Sequence, residues 1–322
     1  MLKLIAKSGL TLSPPKCHIG YRSIIVLGNK VSCLGLSTHH EKLKAIWELE
    51  APKDRKKLET FLGLAMYFST YIPYFSWMVN PLFKSMQSKD LPHEWLDKHQ
   101  KYFKLIKFAL VSVPVHGHPE PRQTYQLYTD ASDYVIAGAL QQIQYIPIKD
   151  LKGTRVHEKL AAAHKKGKKV PELVSQRLVV AYWSRVLAPA KTRYSAMERE
   201  ALAAKESLVC FQPFIEGERI LLVTDHSALT WAKTYKNANR RLAAWGLVFA
   251  TFPEMVIIHR PGQIHWNVDP LSCLPRIPSF VSPARDDLPD LLLLTKHEEL
   301  QKVWSKFIRS RELVTEGKLA DI

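Results

Sequence analysis

The hydrophobic period of this chain changes near residue 112, and that change constrains the fold more than any other feature. From residue 41 up to it, apolar residues recur at helical spacing. Residues 41–50 place Leu43, Ile46, Trp47 and Leu49 on one stripe that Pro52 closes, and residues 56–71 carry a second stripe through Leu58, Leu62, Ala65 and Phe68. A third helix is expected over 98–110. After the change, 125–129, 135–141, 178–183 and 220–224 are short β-type runs, 256–259 is a fifth, and 195–211 and 241–249 read as helices. Strands interleaved with helices at this spacing predict an α/β layer fold, preceded by a small, mostly helical unit.

The boundaries follow from composition. Residues 19–36 are two β-rich runs around Gly28-Asn29, the chemistry of a hairpin turn. The helical unit occupies 37–112, a Pro- and Gly-bearing linker 113–123, the α/β domain 124–276, and a tail 277–322, whose Pro-rich start precedes a helix expected over 298–313. An insertion at 149–172 interrupts the α/β domain. It carries eight Lys and Arg against three Asp and Glu, five of the chain's sixteen net positive charges, and is expected to be a mobile surface loop.

With 46 Lys and Arg against 30 Asp and Glu, the chain has the sign required to settle on a phosphate backbone, although a solvated basic surface has the same composition. No stretch approaches the roughly 18 to 20 uncharged apolar residues of a membrane helix, and the N-terminus lacks the cleavage site of a secretory signal. The expectation is an intracellular protein, in cytoplasm or nucleus, not secreted and without a membrane partner. Cys17, Cys33, Cys210 and Cys273 have no C-x-x-C spacing and are expected to be reduced and mostly buried.

Four acidic residues stand where a metal site could assemble. Asp130 ends the first strand in LYTDAS and Asp225 the fourth in LLVTDH; an Asp at a strand's carboxyl end projects into the crevice where open α/β sheets hold ligands. Glu200 lies on the helix that starts near residue 195, and Asp269 opens NVDPLS. Mg²⁺ takes oxygen ligands, and a pair of such ions can activate a water and stabilise a leaving oxygen in phosphodiester hydrolysis. Converging carboxylates repel one another without cations. Taken singly, each acid also reads as a cap, turn or surface residue.

The runs GLTLSPPKCHIGYRSIIVLGNKVSCLGLS (9–37), LETFLGLAMYFSTYIPYFS (58–76), LYTDASDYVIAGALQQ (127–142), AYWSRVLAPAKTRYSAMEREALA (181–203), LLVTDHSALTW (221–231) and HRPGQIHWNVDPLSCLPR (259–276) carry a family resemblance. In this order the chain resembles the polymerase end of gypsy-type long-terminal-repeat retrotransposons, most closely their fungal copies. The resemblance implies a ribonuclease H (RNase H)-like mixed five-stranded sheet with flanking helices, two Mg²⁺ or Mn²⁺ ions, and cleavage of the RNA strand of an RNA–DNA hybrid. It makes Asp130, Asp225 and Asp269 similar to metal ligands. AMEREALA offers Glu198 and Glu200 for the remaining place; Glu200 is preferred because Glu200-Ala-Leu-Ala resembles the opening of other such helices, and the two side chains point about 200° apart, so only one faces the site. His226 resembles an auxiliary position that helps release product or place the hybrid. Residues 1–36 resemble the end of a polymerase palm with its primer-gripping hairpin, and 37–112 the thumb.

The departures are specific. A Tyr-x-Asp-Asp motif is absent, and Asp286-Asp287 sits in the Pro-flanked tail, so the chain alone is not expected to polymerise DNA; the missing palm and fingers, or other fragments of the polyprotein, would be its partners. Cys273 stands where the family has Arg, removing a guanidinium suited to phosphate. The Met start just before the thumb-like region suggests a truncated or decayed copy of the element. Hence an alternative: a catalytically inactive remnant that still holds duplex nucleic acid.

Overall fold

The computed structural model describes residues 2–259 apart from short interruptions, chiefly 39–44, 88–96, 112–115, 152–154, 166–170, 226–228 and 230–239. Asp269, His226, Cys33, Cys273 and the tail 277–322 with its expected helix lie outside the described residues. In chain order the elements are α1 (Leu2–Lys7), β1 (Ser23–Val26), β2 (Asn29–Ser32), β3 (Gly35–Thr38), α2 (Arg55–Tyr67), α3 (Phe75–Gln87), α4 (Asp97–Val111), β4 (Tyr125–Ala131), β5 (Val135–Pro147), α5 (Arg155–Lys165), β6 (Leu173–Val186), α6 (Ala196–Ile215), β7 (Ile220–Thr224), α7 (Arg240–Ala250) and β8 (Met255–His259).

The helical unit forms as its stripes require. Asp54 caps α2 by accepting the Lys57 N–H at 2.8 Å, and the predicted stripe of Leu58, Leu62, Ala65 and Phe68 is buried. These side chains pack with Leu82 of α3 and Phe103 and Ile106 of α4 into one apolar core, each fully buried aliphatic or aromatic residue contributing about 1.5–3 kcal/mol. Leu49 departs from its expected stripe and is exposed, because the helical turn at Ile46 ends before it. The helix α3 falls where none was expected, since its interior Pro81 masks a strongly amphipathic segment. Phe61 and Phe75 are buried, whereas Tyr67 faces outward and lies against Asn29 of β2.

The second unit is a five-stranded sheet ordered β6-β5-β4-β7-β8, antiparallel across β4, β5 and β6 and parallel across β4, β7 and β8. This is the mixed sheet that the resemblance implied. Helix α6 covers one face, burying Ala201, Ala204, Leu208 and Phe211 against Leu127, Leu140 and Leu222. Gly138 of β5 is required there: a Cβ would fall 2.9 Å from the Ser207 Cβ and 3.4 Å from the Phe211 ring, so only glycine lets the helix lie this close.

Three expectations are corrected. The hairpin at 19–36 is a three-stranded antiparallel sheet whose third strand, β3, was hidden because GLST is too short to show a period. The insertion 149–172 is not simply a loop: its Ala-rich centre forms α5, and β5 and β6 extend past β4 toward it at Pro147 and Leu173. Because Gln142 pairs with Tyr125 at the start of β4, that extension leaves from the end of the sheet opposite Asp130. Cys17 and Cys210 form no disulfide and are only half-buried, Cys210 at the margin of the core beneath α6.

The linker is bonded into both units. His116 exchanges two backbone hydrogen bonds with Leu36 of β3, at 2.8 and 2.9 Å, and the Gly117 N–H donates to Val179 O of β6 at 2.9 Å. The buried His116 ring sits between Tyr71 and Tyr182, 4.9 and 5.6 Å away, and its Nδ1 lies 3.0 Å from Val180 O. Ser76 of α3 joins Ser184 of β6 through backbone and hydroxyl hydrogen bonds.

Candidate metal centre

The strands β4, β7 and β8 run parallel, so their carboxyl ends meet at one end of the sheet. Asp130 is the penultimate residue of β4, and Asp225 directly follows β7. Helix α6 brings Glu200 to the same end, because Ser195 caps it and the close approach at Gly138 fixes its height over the sheet. One carboxylate oxygen from each of Asp130, Glu200 and Asp225 lies within 4.8 Å of the others. Asp130 and Glu200 are buried, and Asp225 is half-buried.

The electrostatics of this cluster are unfavourable as it stands. Burial, then the charges of Asp130 and Asp225, raise the Glu200 carboxyl well above the usual carboxylate range, against the opposing pull of the Ala131 N–H and Arg199. The Ala131 N–H donates to Glu200 Oε1 at 2.9 Å. Glu200 Oε2 is buried without a hydrogen-bond partner. A buried, unsatisfied carboxylate oxygen beside two further carboxylates fits a divalent cation: oxygen donors are what Mg²⁺ and Mn²⁺ select, and a cation would reverse both the repulsion and the unmet acceptor.

Glu198 stands apart from this cluster. Its carboxylate accepts the Ser195 N–H at 3.0 Å and the Ser195 hydroxyl at 3.1 Å, completing a capping box, while its other oxygen pairs with Arg241 at 2.7 Å. The Arg241 guanidinium lies over the Tyr194 ring, 4.1 Å from its centroid, so Glu198 ties α7 to the start of α6. The Ser-x-x-Glu signature was visible in the sequence and assigns Glu198 to the cap. His259 was missed. It is the last residue of β8, in register with Thr224, and its Nε2 lies 2.9 Å from the Asp225 carbonyl oxygen. The signal available was its place at the end of a strand parallel to the one that delivers Asp225. Arg199 also went unremarked; it reaches Asp133 in the β4–β5 turn at 2.7 Å.

The fold and the carboxylate cluster together define an RNase H-like α/β domain. Residues 120–252 match the family described as the RNase H-like domain found in reverse transcriptase. Over 90% of its length the chain is 28% identical to the Transposon Tf2-3 and Tf2-4 polyproteins of the fission yeast Schizosaccharomyces pombe, of which it spans 20%. A foamy viral protease-reverse transcriptase in complex with RNA/DNA hybrid has the same fold, with a TM-score of 0.63 at 17% identity over 89% of this chain and 34% of that one. The same viral protein in complex with double-stranded DNA gives 0.62 at 16% identity over 81% and 49%. Among the described residues no helix is long and apolar enough to cross a membrane.

Proposed function

We propose that this chain is an endoribonuclease that hydrolyses the RNA strand of RNA–DNA hybrids with Mg²⁺ or Mn²⁺, as the C-terminal part of a retrotransposon reverse transcriptase. The observation that carries the reading is the convergence of Asp130, Glu200 and Asp225 with the Glu200 Oε2 unsatisfied. These three would hold the cations, with Asp269 as the fourth ligand that the resemblance implies. When bound, a pair of such ions supplies an activated water and a stabilised leaving oxygen.

The chain's own contribution is placement. Ala131 holds one oxygen of Glu200 through its N–H, the other stays buried and without a hydrogen-bond partner, and the capping box keeps the start of α6 from fraying beneath it. The hybrid is read by groove shape, phosphates and 2′-hydroxyls, consistent with the net charge of +16 and with a structural neighbour determined with RNA/DNA hybrid. In the same reading the helical unit is the thumb riding on the duplex, and the sheet of β1, β2 and β3 is the primer-gripping hairpin.

The test is a labelled RNA–DNA hybrid incubated with the purified chain and Mg²⁺ or Mn²⁺. Cleavage of the RNA strand is expected from the wild type and not from Asp130→Asn. Intact RNA under both metals, with hybrid binding retained, would instead establish a nucleic-acid-binding remnant.

A further inference from the structure

We infer that His259 is a positioning residue for the metal centre, a side-chain latch that fixes the direction in which Asp225 presents its carboxylate. The inference rests on the proposed metal-binding role of Asp225.

The register between β7 and β8 ends with Thr224 opposite His259. Asp225 is therefore the first residue beyond the paired part of its strand, where the backbone loses the ladder that orients it. At this point the His259 ring reaches back: Nε2 lies 2.9 Å from the Asp225 carbonyl oxygen. A carbonyl oxygen only accepts, so the ring donates from Nε2, and the proton sits on that nitrogen. The held carbonyl belongs to Asp225 itself, one bond from the Cα that bears the carboxylate side chain. Pinning it restricts rotation about Cα–C and with it the Cα–Cβ direction.

The three candidate ligands are secured differently. Asp130 sits within β4, in register with Ala137. Glu200 lies within the capped helix α6 and accepts from the Ala131 N–H. Asp225 is half-buried and past its strand, so it depends most on a contact of this kind. Groups that orient a ligand without touching the metal affect affinity by about 10–100-fold.

The test uses the full chain and Mn²⁺ alone as the probe. Melting temperature is followed against Mn²⁺ concentration for the wild type, His259→Leu and His259→Gln, each referred to its own metal-free value so that general loss of stability drops out. Leu is expected to raise the half-saturating Mn²⁺ concentration about tenfold, and Gln, whose side-chain amide can donate from a similar place, to restore it. Equal midpoints for the wild type and Leu, or a Gln variant as poor as Leu, would overturn the latch while leaving the metal centre standing. A wild type whose melting temperature ignores Mn²⁺ would remove the metal centre and the latch with it.

Discussion

Two clusters of buried polar side chains lie at opposite ends of the same sheet, and they solve the problem of burial in opposite ways. At the start of β4, Gln142 and Gln144 clamp the segment entering the domain. Gln142 Oε1 accepts from the Glu120 N–H at 2.8 Å and from Gln144, and its Nε2 donates to the carbonyls of Glu120 and Gln123 at 3.0 and 3.2 Å; Gln144 also donates to His118 O. Every valence of the Gln142 amide is used, and the cluster needs nothing from outside. At the other end, Asp130, Glu200 and Asp225 crowd like charges together and leave an acceptor unmet. Satisfied buried polarity holds a fold together; unsatisfied buried polarity of one sign is costly unless a ligand of the opposite sign arrives.

The contrast can be broken experimentally. The largest effect should come from Asp130→Asn, which is expected to lower hybrid cleavage by at least ~10³-fold, the loss of about 4 kcal/mol of transition-state stabilisation, with hybrid binding retained in a gel-shift assay. Residual cleavage near the wild-type rate would show that the carboxylate end is not the reactive one.

A second effect concerns pH. Glu200 has its carboxyl raised in the folded state, so its contribution to stability is fully present below the unfolded-state value and is lost as pH rises through the folded one. Melting temperatures of metal-free protein taken from about pH 5 to about pH 8 should therefore fall more for the wild type than for Glu200→Gln. Parallel curves would mean the cluster is not electrostatically strained.

Next in size, Gln142→Ala removes the central amide of the clamp, with its bonds to the Glu120 N–H and to the Glu120 and Gln123 carbonyls, and leaves the buried Gln144 without its Gln142 partner. It should cost about 1–3 kcal/mol in denaturant unfolding at any pH and with or without Mn²⁺. A metal-dependent loss would erase the distinction between the two ends. The smallest change is expected from Glu198→Ala, which removes the capping box and the Arg241 pair. It should cost about 1 kcal/mol and leave the metal requirement for cleavage where it was. A shift in that requirement would return Glu198 to the ligand set.

The carboxylate end was legible because strands and spacing carry it. Asp130 and Asp225 each follow an apolar β-run, and the 3.6-residue period lets only one of Glu198 and Glu200 face the site, the preference for Glu200 coming from the resemblance of Glu200-Ala-Leu-Ala to other such helices. The strands β4 and β7 and the helix α6 were visible for the same reason: their apolar residues repeat with one clear period. The clamp was not legible. Gln142 and Gln144 sit in a long β-run, where an uncharged polar residue reads as solvent-facing, and only the return of residues 118–123 across the sheet buries them. The helix α3 was concealed by Pro81, and α5 by the lysines around it. His259 escaped notice because its contact is to a backbone carbonyl, which leaves no trace in the pattern of side chains.

The backbone of His116 and Gly117 occupies the rim of β6 near Val179 while also gripping β3. A shortened chain that begins after this segment would present an adhesive strand border to its neighbours and strip one aromatic cover from Tyr182. Attempts to prepare the RNase H-like domain by itself should therefore start no later than Leu36 or replace the lost backbone donor, because clumping of such pieces would report a cut in the wrong place and not a defective domain.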